Sequence, residues 1–240
     1  YTVLSNEPLT PAVYRMVLEG DTQYITRSGQ FINIELEGKF LRRPISVSDY
    51  DEKTITIIYK VVGSGTEQMR EMAAGTKLDI LTGLGNGFNT ENEAKAPLLV
   101  GGGVGVPPLY NLCKRLFSEG KKPSVILGFN TRDEIFYEEE FKALGVEVYC
   151  STADGSYGTK GFVTDVIREK ALQFDYLYTC GPLPMLKALY DATETDGEFS
   201  FEERMGCGFG ICMGCSIQTA SGAKRVGKEG PVFRKEEIIW

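Results

Sequence analysis

Three cysteines near the C-terminal end, Cys207, Cys212 and Cys215, stand in a C-x4-C-x2-C spacing within a glycine-rich run. Such a set suits a small iron–sulfur cluster, where soft anionic ligands converge on one volume and backbone N–H groups bond the bridging sulfides. Gly206, Gly208, Gly210 and Gly214 alternate with the cysteines and let the backbone wrap that closely. A two-iron cluster takes four protein ligands, normally all thiolates, yet no cysteine follows Cys215. Zinc is the rival occupant; it also takes four ligands, and the chain contains no histidine. Three buried structural thiols are the plain alternative. A disulfide framework is disfavoured, because 240 residues bury a sufficient core without staples and no secretory leader is visible.

Three further motifs carry chemistry. Arg42-Arg43-Pro44-Ile45-Ser46, followed by Ile58-Tyr59-Lys60 and Gly63-Ser-Gly65-Thr66, offers a forked guanidinium for a pyrophosphate and a hydroxyl for a flavin ring or its ribityl chain. Alone it reads as a solvated loop; beside a barrel pattern and a nucleotide-type domain the flavin reading is favoured. The second motif is Leu98-Leu-Val-Gly-Gly-Gly-Val-Gly-Val-Pro-Pro108. A strand that ends in glycines (Gly102, Gly103, Gly105) and feeds a helix aims free N–H groups at an anion such as a dinucleotide pyrophosphate. It departs from the G-x-G-x-x-G fingerprint at Pro107, so a tight structural turn competes with it. The third, Cys180-Gly181-Pro182, falls at a predicted strand end, the edge of a parallel sheet that faces the ligand crevice. Cys180 is therefore placed beside a nicotinamide ring or, equally, in the core. Turn glycines in Asp154–Gly161 belong to the same crevice.

The elements that must position these motifs follow from periodicity. Up to about Gly87 the chain is strand-rich, with Phe31–Leu36 alternating and Thr54–Val62 β-branched and aromatic, which predicts a small antiparallel β-barrel. From about Ala96, strands at Pro97–Val100, Ser124–Phe129, Val146–Tyr149 and Tyr176–Thr179 alternate with helices over Leu109–Ser118, Glu138–Leu144 and Leu183–Thr193. That rhythm predicts an α/β domain with a parallel sheet. The expected division is a barrel over 1–90, a nucleotide domain over 91–198 and a cluster-binding tail over 199–240. Hydrophobic content of 42% and charged content of 25% are those of a globular chain, and no apolar run is long enough to span a membrane. A formal charge of −7 argues against nucleic acid as a partner. Cytoplasmic residence is expected.

Taken together and in order, Arg43-Pro-Ile-Ser46, the Gly-Gly-Gly-Val-Gly-Val-Pro-Pro loop, Cys180-Gly-Pro182 and Glu203-Arg-Met-Gly-Cys-Gly-Phe-Gly-Ile-Cys-Met-Gly-Cys215 resemble the ferredoxin–NADP reductase superfamily. More narrowly, they resemble electron-transfer subunits of the NAD-dependent class of dihydroorotate dehydrogenase, over essentially the whole chain. The resemblance implies FAD in the barrel, NAD on the α/β domain, a 2Fe-2S cluster in the tail and a separate FMN-containing catalytic subunit, in a heterotetramer of two of each. It places FAD against Arg43, Pro44, Ile45, Ser46, Ile58, Tyr59, Lys60, Gly65 and Thr66, and the cluster on Cys207, Cys212 and Cys215. Electrons are then expected to run from the partner's FMN through the cluster and FAD to NAD.

One departure stands out. Where the family carries its fourth thiolate, in Arg-Val-Cys, this chain reads Arg225-Val-Gly227. A carboxylate, a hydroxyl such as Ser221, or solvent is then left to complete the site, and three thiolates are expected to hold a cluster of reduced stability. NAD is expected over NADP, because Asp133 and Glu134 beside Arg132 repel a 2′-phosphate. The competing functions are a reductase of the same superfamily serving another partner, such as a ferredoxin-dependent transhydrogenase or sulfur reductase, and a zinc-binding module.

Overall fold

The structure is a computed structural model that describes residues 1–240. Its first half contains β1 (Thr2–Pro8), β2 (Val13–Glu19), β3 (Phe31–Ile34), β4 (Arg43–Tyr50), β5 (Thr54–Lys60), α1 (Ser64–Arg70) and β6 (Ile80–Leu84). The strands form one antiparallel sheet in the order β1-β2-β5-β4-β3-β6. A bridge from Thr2 to Lys77, just ahead of β6, brings the two edges together and closes the sheet into a barrel. Alternation explains the interior: Ile55, Ile57 and Tyr59 of β5 point inward with Met16, Leu18, Ile32 and Ile34. Ile58, between them, points out and joins the core of the second half.

That second half contains β7 (Leu98–Gly102), α2 (Pro108–Ser118), β8 (Ser124–Phe129), α3 (Glu138–Ala143), β9 (Glu147–Thr152), β10 (Thr159–Lys160), α4 (Val163–Glu169), β11 (Leu177–Cys180), α5 (Leu183–Ala192) and β12 (Gly197–Ser200). The sheet order is β10-β9-β8-β7-β11-β12, all parallel. Neighbouring residues of each strand serve opposite faces. Leu99, Val125 and Leu127 pack under Leu109, Leu112 and Leu116 of α2, while Leu98, Val100 and Ile126 pack under Val166 of α4 and Leu186 and Leu189 of α5. Burial on both faces is why these strands read as continuous apolar runs.

The tail forms a hairpin, β13 (Ser216–Thr219) with β14 (Gly222–Arg225), and then returns as β15 (Val232–Arg234). β15 pairs antiparallel with β12, so the tail supplies the last strand of the nucleotide-domain sheet. The boundary expected between 198 and 199 falls inside β12. Sequence reading placed no helix at α1 or α4 and no strand at β12 or β15; each spans seven residues or fewer, too short for periodicity to register. Barrel and α/β domain are joined by polar contacts as well as by Ile58: Asp49 on β4 accepts from Asn111 at 2.8 Å and from Lys114 at 2.6 Å on α2. No helix is long and apolar enough to cross a membrane.

Candidate redox site

On the barrel, β4 presents the Arg43–Ser46 segment beside β3, with Ile34 opposite Arg43, Asn33 opposite Pro44 and Phe31 opposite Ser46. All four β4 residues are half-buried. The two arginines divide their work. Arg42 is committed to the barrel, paired with Asp79 at 2.6 Å and with Glu35. Arg43 lies across the start of α1, where a Cβ on Gly65 would stand 2.3 Å from its Nε, so only glycine lets the guanidinium settle there. Thr66 shapes the same turn from within: its Oγ1 accepts from the Val62 and Gly63 amides at 2.9 and 3.2 Å and donates to the Gly63 carbonyl.

The Ile58-Tyr59-Lys60 stretch is divided too. The Tyr59 ring is buried in the barrel core, its hydroxyl donating to Asn6 at 2.9 Å, and Ile58 is buried between domains. Neither side chain is offered to a ligand, so a flavin contact from this stretch falls to the backbone. Lys60 alone is exposed.

Across the domain junction a cavity of about 590 Å³ is walled by Lys60, Gly102, Gly103, Gly105, Gly181 and Pro182 together with Gly128, Phe129, Asn130 and Glu134. Its size is that of a nucleotide-scale pocket. The glycine loop after β7 packs against the end of β11: a Cβ on Gly105 would lie 2.3 Å from the Cys180 carbonyl oxygen. The sequence-predicted residues Gly102, Gly103, Gly105, Gly181 and Pro182 therefore line one cavity. Cys180 lies just behind that wall, with 2% of its surface exposed, and burial pushes its thiol well above the usual range. It is a neutral, apolar support there. Glu134 lines the cavity and accepts from the Asn130 side chain at 2.9 Å. Arg132 turns away, its guanidinium over the Tyr157 ring at 5.9 Å.

The cysteine loop is built against β3. The Asn33 side-chain amide donates to the Cys207 carbonyl at 3.2 Å, and a Cβ on Gly208, whose φ is +72°, would stand 2.2 Å from that amide nitrogen. Asn33 is 1% exposed, and its Oδ1 has no partner in the protein. The loop is braced from the other side by Arg225, which pairs with Glu229 and donates to the Gly210 carbonyl. Sequence reading missed Asn33 and the Arg225–Glu229 pair altogether, since a lone asparagine in a strand gives no signal and the pair lies outside any helix whose spacing would announce it.

The thiols fit thiolate chemistry. Burial opposes ionisation of Cys207, but the amides of Cys212, Phe209 and Ile211, with the Cys212 side chain, outweigh it and bring Cys207 down to about 6. Cys212 N–H points at Cys207 Sγ at 3.5 Å, and Gly227 N–H at Cys215 Sγ at 3.3 Å. Cys215 is 1% exposed, whereas Cys207 and Cys212 reach the surface. Amides already aimed at two of the three sulfurs are the surroundings a 2Fe-2S cluster requires, and the three thiols suit three of its four corners. Ser221 is ruled out as the fourth ligand by the hairpin: it sits in the β13–β14 turn, bonded to Thr219 at 3.3 Å, roughly 10 Å of strand from the cysteine end.

The comparisons agree with this geometry. Residues 202–239 match the iron-sulfur cluster binding domain of dihydroorotate dehydrogenase B, and residues 99–191 match the oxidoreductase NAD-binding domain. The chain is 46% identical over 251 residues to the dihydroorotate dehydrogenase B (NAD(+)) electron transfer subunit of Fusobacterium nucleatum, covering 99% of this chain and 96% of that one. The corresponding Bacillus velezensis subunit is 44% identical, with 99% and 97% covered. Among solved structures, a chain of the NADH-dependent reduced ferredoxin-NADP oxidoreductase superposes with a TM-score of 0.90 at 30% identity, covering 100% and 89%. A ferredoxin NADP+ reductase from Neisseria gonorrhoeae shares the fold at a TM-score of 0.69 and 18% identity, with 80% and 88% covered. With that identity along nearly its whole length and a matching cluster domain and NAD domain, the chain belongs to the family of electron transfer subunits of NAD(+)-dependent dihydroorotate dehydrogenase B.

Proposed function

We propose that this chain links a separate FMN-containing dihydroorotate dehydrogenase subunit to NAD, serving the oxidation of dihydroorotate to orotate in pyrimidine biosynthesis. The cofactor set is FAD, a 2Fe-2S cluster and NAD. When bound, FAD exchanges a hydride with nicotinamide on one side and single electrons with an iron–sulfur cluster on the other.

The residues supply position. Arg43 at Gly65 offers a forked cation to the flavin pyrophosphate, and Pro44, Ile45 and Ser46 lay a half-buried strand along the flavin. The backbone of Ile58–Lys60 and the turn held by Thr66 complete that site. Gly102, Gly103 and Gly105 receive the dinucleotide, and Gly181 and Pro182, backed by Cys180, hold the nicotinamide end toward the barrel. Glu134 accepts from a ribose hydroxyl and repels a 2′-phosphate. The chain has no histidine, and hydride transfer between two rings asks for orientation rather than an imidazole base. Cys207, Cys212 and Cys215 hold the cluster, and the exposed Phe209, Ile211 and Met213 around them form the face toward the FMN subunit. The assembly is a cytoplasmic heterotetramer with two copies of each subunit, in which electrons run from the FMN subunit toward NAD.

The observation that carries this reading is the Asn33–Cys207 hydrogen bond, because it ties the cysteine loop to the strand paired with Arg43–Ser46. Anaerobic titration of the purified chain with NADH tests it. The flavin and cluster absorption bands should bleach together, and adding the FMN subunit should give dihydroorotate-dependent reduction of NAD. A flavin that bleaches while the cluster band persists would overturn the reading.

A further inference from the structure

The corner of the cluster site left by Gly227 has a neighbour of suitable chemistry. The point where a Cβ at 227 would sit is 3.5 Å from Cys215 Sγ, so this position faces the cluster ligands, and it is equally 3.5 Å from Met205 Sδ. The Gly227 amide donates to Cys215 Sγ, which fixes the backbone there. Met205 is half-buried and packs among the residues around Cys215 and Val226, so its thioether is held rather than free in solvent. Of the other donors, Asn33 Oδ1 is unpartnered but is a hard oxygen on the Cys207–Gly208 side of the loop, and two more are occupied or remote. Glu229 places both oxygens on Arg225, Oε1 on Nη2 and Oε2 on the amide at 2.8 Å and on Nε at 3.1 Å. Ser221 lies at the far end of the hairpin.

We infer that the Met205 thioether takes the fourth corner of the cluster in this chain, in place of the thiolate that Gly227 cannot supply. A thioether is soft and suits iron in a sulfur-rich site, but it is neutral. The cluster therefore carries one negative charge fewer than with four thiolates. The inference rests on the cluster reading above.

The test uses the full chain, anaerobically reconstituted with iron and sulfide, in four forms: native, Met205→Leu, Gly227→Cys, and the two combined. Iron, acid-labile sulfide and the rate of bleaching under a chelator are measured, together with the electron paramagnetic resonance of the reduced cluster. Leucine keeps the packing volume of methionine. Met205→Leu should speed bleaching about tenfold and change the resonance where residue 227 is glycine. The same substitution should leave both within about twofold where Gly227→Cys supplies a thiolate. Selenomethionine labelling adds a direct readout, an iron neighbour in the selenium absorption fine structure that vanishes in Met205→Leu. If Met205→Leu bleaches at the native rate, or equally fast in both backgrounds, the thioether is not a ligand and the proposal falls. If all four forms lack iron and sulfide, the cluster reading falls and takes the proposal with it.

Discussion

The nucleotide crevice and the cysteine loop lie in one chain but are built from different materials. The crevice is shaped by glycines, Gly102, Gly103, Gly105 and Gly181, beside apolar side chains such as Phe129 and Met185, and the side chain that the motif advertises, Cys180, is buried behind the wall. The loop depends on four side-chain donors reaching one small volume, and one of them is absent at Gly227. A crevice shaped by close backbone packing tolerates sequence change wherever its glycine turns survive. A site of thiolates fails residue by residue.

The sharpest way to break this comparison is to remove a thiolate. Cys212→Ser should abolish nearly all bound iron and sulfide while NADH affinity stays within about twofold, because the cavity shares no side chain with the loop. Metal analysis beside an NADH titration decides it, and a joint loss of both would mean that the two regions are not independent.

The converse experiment attacks the backbone site. Gly105→Val puts a branched side chain where even a Cβ alone would lie 2.3 Å from the Cys180 carbonyl oxygen, and should cost about 3 kcal/mol of stability with loss of NADH binding. Thermal unfolding and NADH titration check this; an unchanged melting temperature would show the loop to be softer than its packing implies.

A third experiment concerns the seam between the two regions. Glu198 on β12, the strand that receives β15 from the tail, is 4% exposed and accepts from the Asn89 amide at 2.9 Å. Burial raises its carboxyl to about 7, against the opposing pull of the Asn89 amide, Arg234 and Arg27. The folded state thus binds this proton more tightly than the unfolded chain, whose value is near 4.5. Its contribution is full below the unfolded value and is lost as pH rises through about 7. Glu198→Gln should therefore stabilise the protein by on the order of 2 kcal/mol at pH 8 and by little at pH 4.5. Melting temperatures across that range test the sign, and a uniform shift at all pH values would place the effect elsewhere.

The smallest expected change is in cofactor choice. Glu134→Gln removes a carboxylate from the cavity wall and, on the proposed nucleotide binding, should narrow the preference for NADH over NADPH about tenfold, roughly 1.4 kcal/mol. Paired kcat/KM values report it; an unaltered ratio would move selectivity to another residue.

Much of the fold was legible because its signals are local. The limits of β8, Ser124–Phe129, could be read directly, since a strand buried on both faces is a continuous apolar run bounded by turns. α2 and α5 were read to within a residue from their amphipathic spacing. The seven-residue α4 is marked mainly by the Asp165 carboxylate accepting from the Phe162 amide at 2.8 Å, which is faint in a sequence. β12 and β15 are four and three residues long and exist through each other, so neither has a pattern of its own.

The candidate site divides the same way. Spacing marked the cysteine triad as candidate ligands and picked out the glycine loop and the Arg-Pro-Ile-Ser strand as motifs whose chemistry resides in residue type, while the missing thiolate at Gly227 showed only against the family's pattern. Only the tertiary structure decided that Arg43 rather than Arg42 faces Gly65, that Tyr59 turns into the barrel, that Asn33 fastens Cys207, and that Met205 stands beside the vacancy. These are contacts between residues remote in sequence, fixed by which face of a strand is turned inward and which elements the cores draw together.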